Sequence, residues 1–157
     1  MKKTNKGFSM VELIIVIAIM AILAGALAPA LIKYINKSRI STDIQTANTI
    51  ATAVQTALAN ETAYDEASPL NGSWTVLSTV CSTGSVFGSL VTDTLGGNTP
   101  SLKAKKCLAP TGTQLGTDFY VNITGSNVEV REGSASGHRL YPTAAKCLTD
   151  DGATCAP

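Results

Sequence analysis

Glu12 stands at the lip of a long uncharged run, and nothing charged follows it until Lys33. Leu13 to Ile32 is twenty residues, about 30 Å of helix, enough to cross the hydrocarbon core of a bilayer. A carboxylate in hydrocarbon costs roughly 2.5 to 3.5 kcal/mol at mid-span, and less near the edge, unless a cation takes it. Glu12 is therefore a functional candidate by default, and its chemistry is that of an anion in search of a partner. Just before it, Lys2, Lys3 and Lys6 crowd up to the pair Gly7-Phe8. Elsewhere the reactive inventory is short. Cys81, Cys107, Cys147 and Cys155 are an even set with three possible pairings. They contain no C-x-x-C pair that would favour zinc. The single histidine, His138, has no nucleophile or metal partner at a recognisable spacing. Asp150-Asp151-Gly152 lacks the regular oxygen ligands of a calcium loop and reads as a surface turn. No G-x-S-x-G, phosphate loop or H-E-x-x-H occurs, so the expectation is a protein that is not an enzyme, with no cofactor and no metal.

The elements that must carry these residues follow from periodicity. Beyond the apolar run, Ile40, Ile44, Ala47, Ala51, Val54 and Leu58 recur at spacings of four and three, one face of a helix. Ser41, Asp43, Gln45, Asn48, Thr49 and Gln55 form the polar remainder. One helix from about Phe8 to Asn60 is expected. Gly25 and Pro29 inside it should weaken or kink it, because proline removes a backbone donor and crowds the preceding turn. Residues 60–72 read as a helix exit into a loop, 74–80 as a strand, and 85–95 as a short helix ended by Gly96-Gly97. Phe119–Thr124 and Asn127–Arg131 alternate on either side of Gly125-Ser126, a hairpin pattern. A third strand is expected over 138–141, ending at Pro142.

The arrangement of basic leader, Gly7, Phe8, Glu12 and apolar run resembles the class III signal of type IV prepilins and related pseudopilins. That resemblance covers Lys6 to about Ala30. It implies cleavage between Gly7 and Phe8 by a membrane-embedded prepilin peptidase, which N-methylates the new Phe8 terminus. It also implies that Glu12 is the family's characteristic acid, with Phe8 and Glu12 acting together in assembly. The new amine lies about 6 Å of helix rise from Glu12. A neighbour shifted along an axis would bring its own amine to this carboxylate, and an ion pair there is strong because the dielectric is low. Many members of the family close a C-terminal loop with a disulfide. The resemblance thus implies Cys147–Cys155, and with it Cys81–Cys107. Pro29 matches the family's helix proline, a zone often unwound in related filaments.

Two bland alternatives leave Glu12 without a role. A secretory signal peptide would be cut after Ala26-Leu27-Ala28, exposing Pro29 as the new terminus, and a plain signal anchor would not be cut at all. Lys33, Lys37 and Arg39 balance the leader lysines, so charge alone does not orient the span. Nothing in the composition suggests a nucleic-acid protein: without the leader, nine bases face eleven acids. The cluster Lys103, Lys105, Lys106 lacks interleaved aromatics and reads as a solvated loop.

The expected fold is α+β: a long N-terminal helix, membrane-spanning in its first half and kinked near Pro29, packed on a small antiparallel sheet head with a disulfide-closed C-terminal loop. Residues 1–7 are a cleaved leader and 8–33 the transmembrane and polymerisation half. Residues 34–157 form the head, with 34–60 as the amphipathic half of the helix. The implied partners are the prepilin peptidase and N-methyltransferase, identical or related pilin subunits, an assembly platform protein, and membrane lipid before assembly. The implied location is the inner membrane, then an extracellular pilus serving adhesion, twitching motility or DNA uptake. A pseudopilin of a secretion or competence system shares the same N-terminus. A membrane-anchored binder that never polymerises is the alternative of another class.

Overall fold

Ser9 opens the first helix, α1 (Met10–Leu58), with a reciprocal cap. Its Oγ accepts from Val11 N at 3.3 Å, while Glu12 Oε2 accepts from Ser9 N at 2.9 Å. This is the S-x-x-E capping box, which satisfies orphan donors at a helix start. The computed structural model describes residues 7–82, 84–107 and 115–149. Two compact units are present, Met1–Ile35 and Asn36–Pro157, and α1 contributes to both.

In the first unit α1 is apolar on every side and its residues are exposed, from Leu13 through Ile32. Pro29 lies inside the helix, and α1 is helical on both sides of it. Lacking an N–H, Pro29 returns no bond to the carbonyl of Gly25.

In the second unit α1 buries a narrow stripe of Ile40, Ala47, Ile50, Ala51, Ala53, Val54 and Ala57. Four of these are alanines, which let the helix lie close to its neighbours. Ile44 and Leu58, expected in the stripe, sit half-buried at its margin. On the opposite face Thr42, Thr46, Thr49, Thr52 and Thr56 each donate to the carbonyl four residues earlier. Those hydroxyls are satisfied locally and need nothing from the head.

The stripe packs with a four-stranded antiparallel sheet, strand order β1-β2-β3-β4. Its strands are β1 (Trp74–Val76), β2 (Phe119–Thr124), β3 (Asn127–Glu132) and β4 (Arg139–Tyr141). Phe119, Val121, Ile123, Val128, Val130 and Leu140 face the core, each worth roughly 1.5–3 kcal/mol when fully buried. The expected hairpin has the expected register, closed by Thr124↔Asn127. Gly125 has φ +62° and Ser126 is not left-handed, the type II′ pattern whose twist suits a two-residue hairpin. Arg131 stacks on Trp74 at 4.5 Å and pairs with Glu129 on the outer face.

Several expectations are corrected. Residues 60–72 are not a plain loop: Asn60 caps α2 (Glu61–Ala67) by accepting from Ala63 N, and a 3-10 turn, Ser68–Leu70, follows. The strand expected over 74–80 ends at Val76, and Val80 lies in α3 (Leu77–Ser82), buried. Alternation alone misread it, because Leu77 and Val80 also fit a helical spacing of three. The short helix expected over 85–95 is α4 (Val86–Thr94), capped by Ser85 Oγ at Gly88 N. The third strand of the expectation begins at Arg139. A last short helix, α5 (Lys146–Thr149), packs Cys147 and Leu148 into the core.

Neither expected bridge is formed, since Cys81 and Cys147 both carry free thiols. Cys81 sits on α3 against α4, where its carbonyl accepts from Thr92 Oγ1. The Cys107 strand of chain is instead held along α1 through Lys103, Ala104 and Lys106, so α3 and Cys107 are placed against different elements. Cys107 is disulfide-bonded. Cys155, the closed C-terminal loop, the leader lysines and the turn at 150–152 lie outside the described residues.

Candidate processing and assembly site

Gly7 and Phe8 precede α1, outside any regular element. A side chain on Gly7 would meet open space, so no steric demand of the fold calls for glycine there. Phe8 is 84% exposed. The bond between them is thus presented to solvent or lipid, uncovered by the described parts of the chain. Four residues on, Glu12 occupies the first turn of α1, where a carboxylate also suits the positive end of the helix dipole. Among the described residues its partner is the Ser9 amide, one residue from Phe8. Sequence reasoning singled out Glu12 but missed this role for Ser9, although S-x-x-E before an apolar run is a legible signal.

Among the described residues, α1 is the one helix long and apolar enough to cross a membrane. None of its most apolar stretch is buried within the protein. The exposed face has no polar seam to keep it in water, so it calls for lipid or for other apolar helices.

Away from this end, two buried polar groups organise the head. Asp43, assigned by periodicity to the polar remainder, is 2% exposed. Its carboxylate accepts from Lys103 N at 3.0 and 3.1 Å and from Ala104 N at 2.7 Å, tying the 102–107 segment to α1. Asn36 Nδ2 adds a bond to the Lys106 carbonyl at 2.9 Å. The second group is Glu132, which accepts from His138 Nδ1 at 2.7 Å, His138 N at 3.1 Å and Gly116 N at 2.9 Å. His138, which had no partner in the sequence, is therefore a buried structural histidine. Gly116 and Gly133 pass backbone against backbone beside this pair, where a Cβ on Gly116 would strike Gly133. The Cys147 thiol titrates above its usual range, chiefly through burial; Glu132 adds to the shift and a backbone hydrogen bond opposes it. Among the described residues no three of His, Cys, Asp or Glu are placed to hold a metal ion.

Comparison with known proteins bears on the N-terminal part. Residues 2–28 match the family described as the prokaryotic N-terminal methylation motif. Two type IV major fimbrial proteins FimA of Dichelobacter nodosus are similar to the chain. One is 38% identical over 66 residues, covering 42% of this chain and 41% of that protein. The other is 40% identical over 58 residues, 37% of each. The chain thus spans about two fifths of the length of the curated relatives it matches. No solved structure matches it.

Proposed function

We propose that this chain is a type IV pilin, a structural subunit of a type IV pilus. The methylation motif over residues 2–28 and the similarity to type IV major fimbrial proteins support that identity. The observation that carries the proposal is a helix start bearing Gly7, Phe8 and Glu12, followed by an apolar surface the protein leaves uncovered. The precursor is held by this helix in the inner membrane. Prepilin peptidase cuts between Gly7 and Phe8 and methylates Phe8. Methylation leaves the amine charged, so it can still pair with a carboxylate. Glu12 of one subunit then receives the amine of another, and the apolar helices leave lipid to pack in a fibre core. An assembly platform protein extracts the subunits, and the fibre is extracellular. The role is structural, not catalytic.

Pro29 and Gly25 belong to the same proposal. The carbonyl of Gly25 lacks an intrahelical donor, so a kink at this point lets neighbouring helices in the core accommodate one another. The test is mass spectrometry of the surface protein with electron microscopy of sheared material. A chain beginning at N-methyl-Phe8 in thin fibres is the expected result. Cleavage after Ala28, or an intact Met1, would overturn it. Processed protein without fibres would point instead to a membrane-anchored binder.

A further inference from the structure

Between Arg39 and Lys103 the sequence holds no lysine, arginine or histidine, yet Asp43, Glu61, Asp65, Glu66 and Asp93 all fall there. In the unit Asn36–Pro157 the fold turns this into segregation in space. The Asn36 and Asp43 bonds lay residues 103–106 along the beginning of α1 in this unit, beside Lys37 and Arg39. All five basic side chains there, Lys37, Arg39, Lys103, Lys105 and Lys106, are exposed. Asp43, the acid among them, is buried and committed to backbone amides. Nearby Asp118 is exposed and accepts from Thr117 Oγ1.

At the far end of α1 the charge is reversed. From Arg39 to Leu58 the helix rises about 28 Å. There Asn60 starts α2, whose Glu61, Asp65 and Glu66 are all exposed. Glu66 accepts from Phe87 N, and Glu61 and Asp65 have no such bond among those observed in the described residues. The same end holds the β2–β3 turn, since Asn71 Oδ1 accepts from Gly125 N. Among the described residues the ion pairs are Arg131–Glu129 and His138–Glu132, and neither group takes part in one.

We propose that the basic end of one head docks on the acidic α2 end of a second copy. The contact is Lys37, Arg39, Lys103, Lys105 and Lys106 against Glu61 and Asp65. It rests on the pilus-subunit proposal and adds what sets the stacking of heads. Complementary charge at opposite ends makes a heterologous, head-to-tail contact, which propagates as an open filament instead of closing as a dimer. Like ends repel, so the inverted stacking is rejected. Each exposed pair is individually weak, but the contact repeats at every subunit of the fibre.

The test uses the full chain in fibre-producing cells. One variant combines Lys103→Glu, Lys105→Glu and Lys106→Glu; a second combines Glu61→Lys and Asp65→Lys; a third carries all five changes. The lysine side chains are exposed and only their backbones are bonded, so the heads should fold; protease resistance of membrane-held protein checks this. Each single-end reversal should lower the sheared fibre yield about tenfold, and the combined reversal should restore most of it. Wild-type yield from both single-end variants would overturn the contact. So would a combination no better than either variant alone. Loss of membrane retention with normal fibre yield would assign the basic end to anionic lipid headgroups and overturn it too. Absence of any wild-type fibre would fail the pilus reading itself, a distinct result.

Discussion

Asp43 shows how much of the head hangs on one carboxylate. Its Oδ atoms satisfy two buried or half-buried amides from a segment sixty residues away. Asp43→Ala orphans both donors, each costing about 1–3 kcal/mol. The expected loss of stability is about 2–6 kcal/mol by denaturant unfolding. Asp43→Asn keeps one acceptor and should lose less. Cys147 gives a second prediction. Its folded pKa is raised, so the neutral thiol contributes stability fully below the unfolded value, about 8.5. That contribution is lost as pH rises through the folded value. Wild-type unfolding free energy should therefore fall between pH 8.5 and higher pH more steeply than that of Cys147→Ala. On the native protein, iodoacetamide should label half-buried Cys81 well before buried Cys147. Equal labelling rates would contradict the burial of α5.

At the scale of elements, two glycines hold the sheet end to end for different reasons. Gly125 adopts φ +62° with open space around its Cβ position, so Gly125→Ala strains only the backbone. The expected loss is about 1–2 kcal/mol, with the hairpin kept. Gly116→Ala has no open space and would drive Gly116 and Gly133 apart beside the Glu132–His138 pair. It should cost more than Gly125→Ala and disturb the histidine, visible as a shifted His138 imidazole resonance. If the two substitutions proved equally mild in thermal unfolding, the backbone contact at Gly116 would be wrong. The helix α1 behaves differently along its length. Its second half is held by side chains on one face, whereas none of the most apolar stretch in its first half is buried.

For the whole molecule, Glu12 is the residue on which the proposed assembly turns. Glu12→Gln removes the charge yet keeps the acceptor of the capping box, since glutamine caps as glutamate does. It isolates the charge from the helix start. Export, cleavage and folding should be unchanged, membrane levels normal or raised, and the sheared fibre fraction reduced. Glu12→Val loses both charge and cap, and should assemble no better. Normal fibre yield in both would mean that apolar packing alone sets the register, and Glu12 would be left with its cap on Ser9.

The apolar run and its acidic start at Glu12 were legible in the sequence because they are local: length, hydropathy and a few adjacent residues define the helix. The β2–β3 hairpin was legible for the same reason, as Gly125-Ser126 and strict alternation need no distant partner. Periodicity also found Ile40, Ala47, Ala51 and Val54, since a helical face repeats within a few turns. What escaped was non-local. Asp43 reads as a surface acid until Lys103 and Ala104 are folded onto it. His138 reads as solitary until the five residues 133–137 return it to Glu132. Cysteine pairing depends on which segments the fold sets side by side, and α3 holds Cys81 against α4 while the Cys107 segment runs along α1. The separation of basic and acidic ends has the same origin. Sequence shows where the charges fall along the chain, but only tertiary hydrogen bonds bring residues 103–106 back beside Lys37 and Arg39.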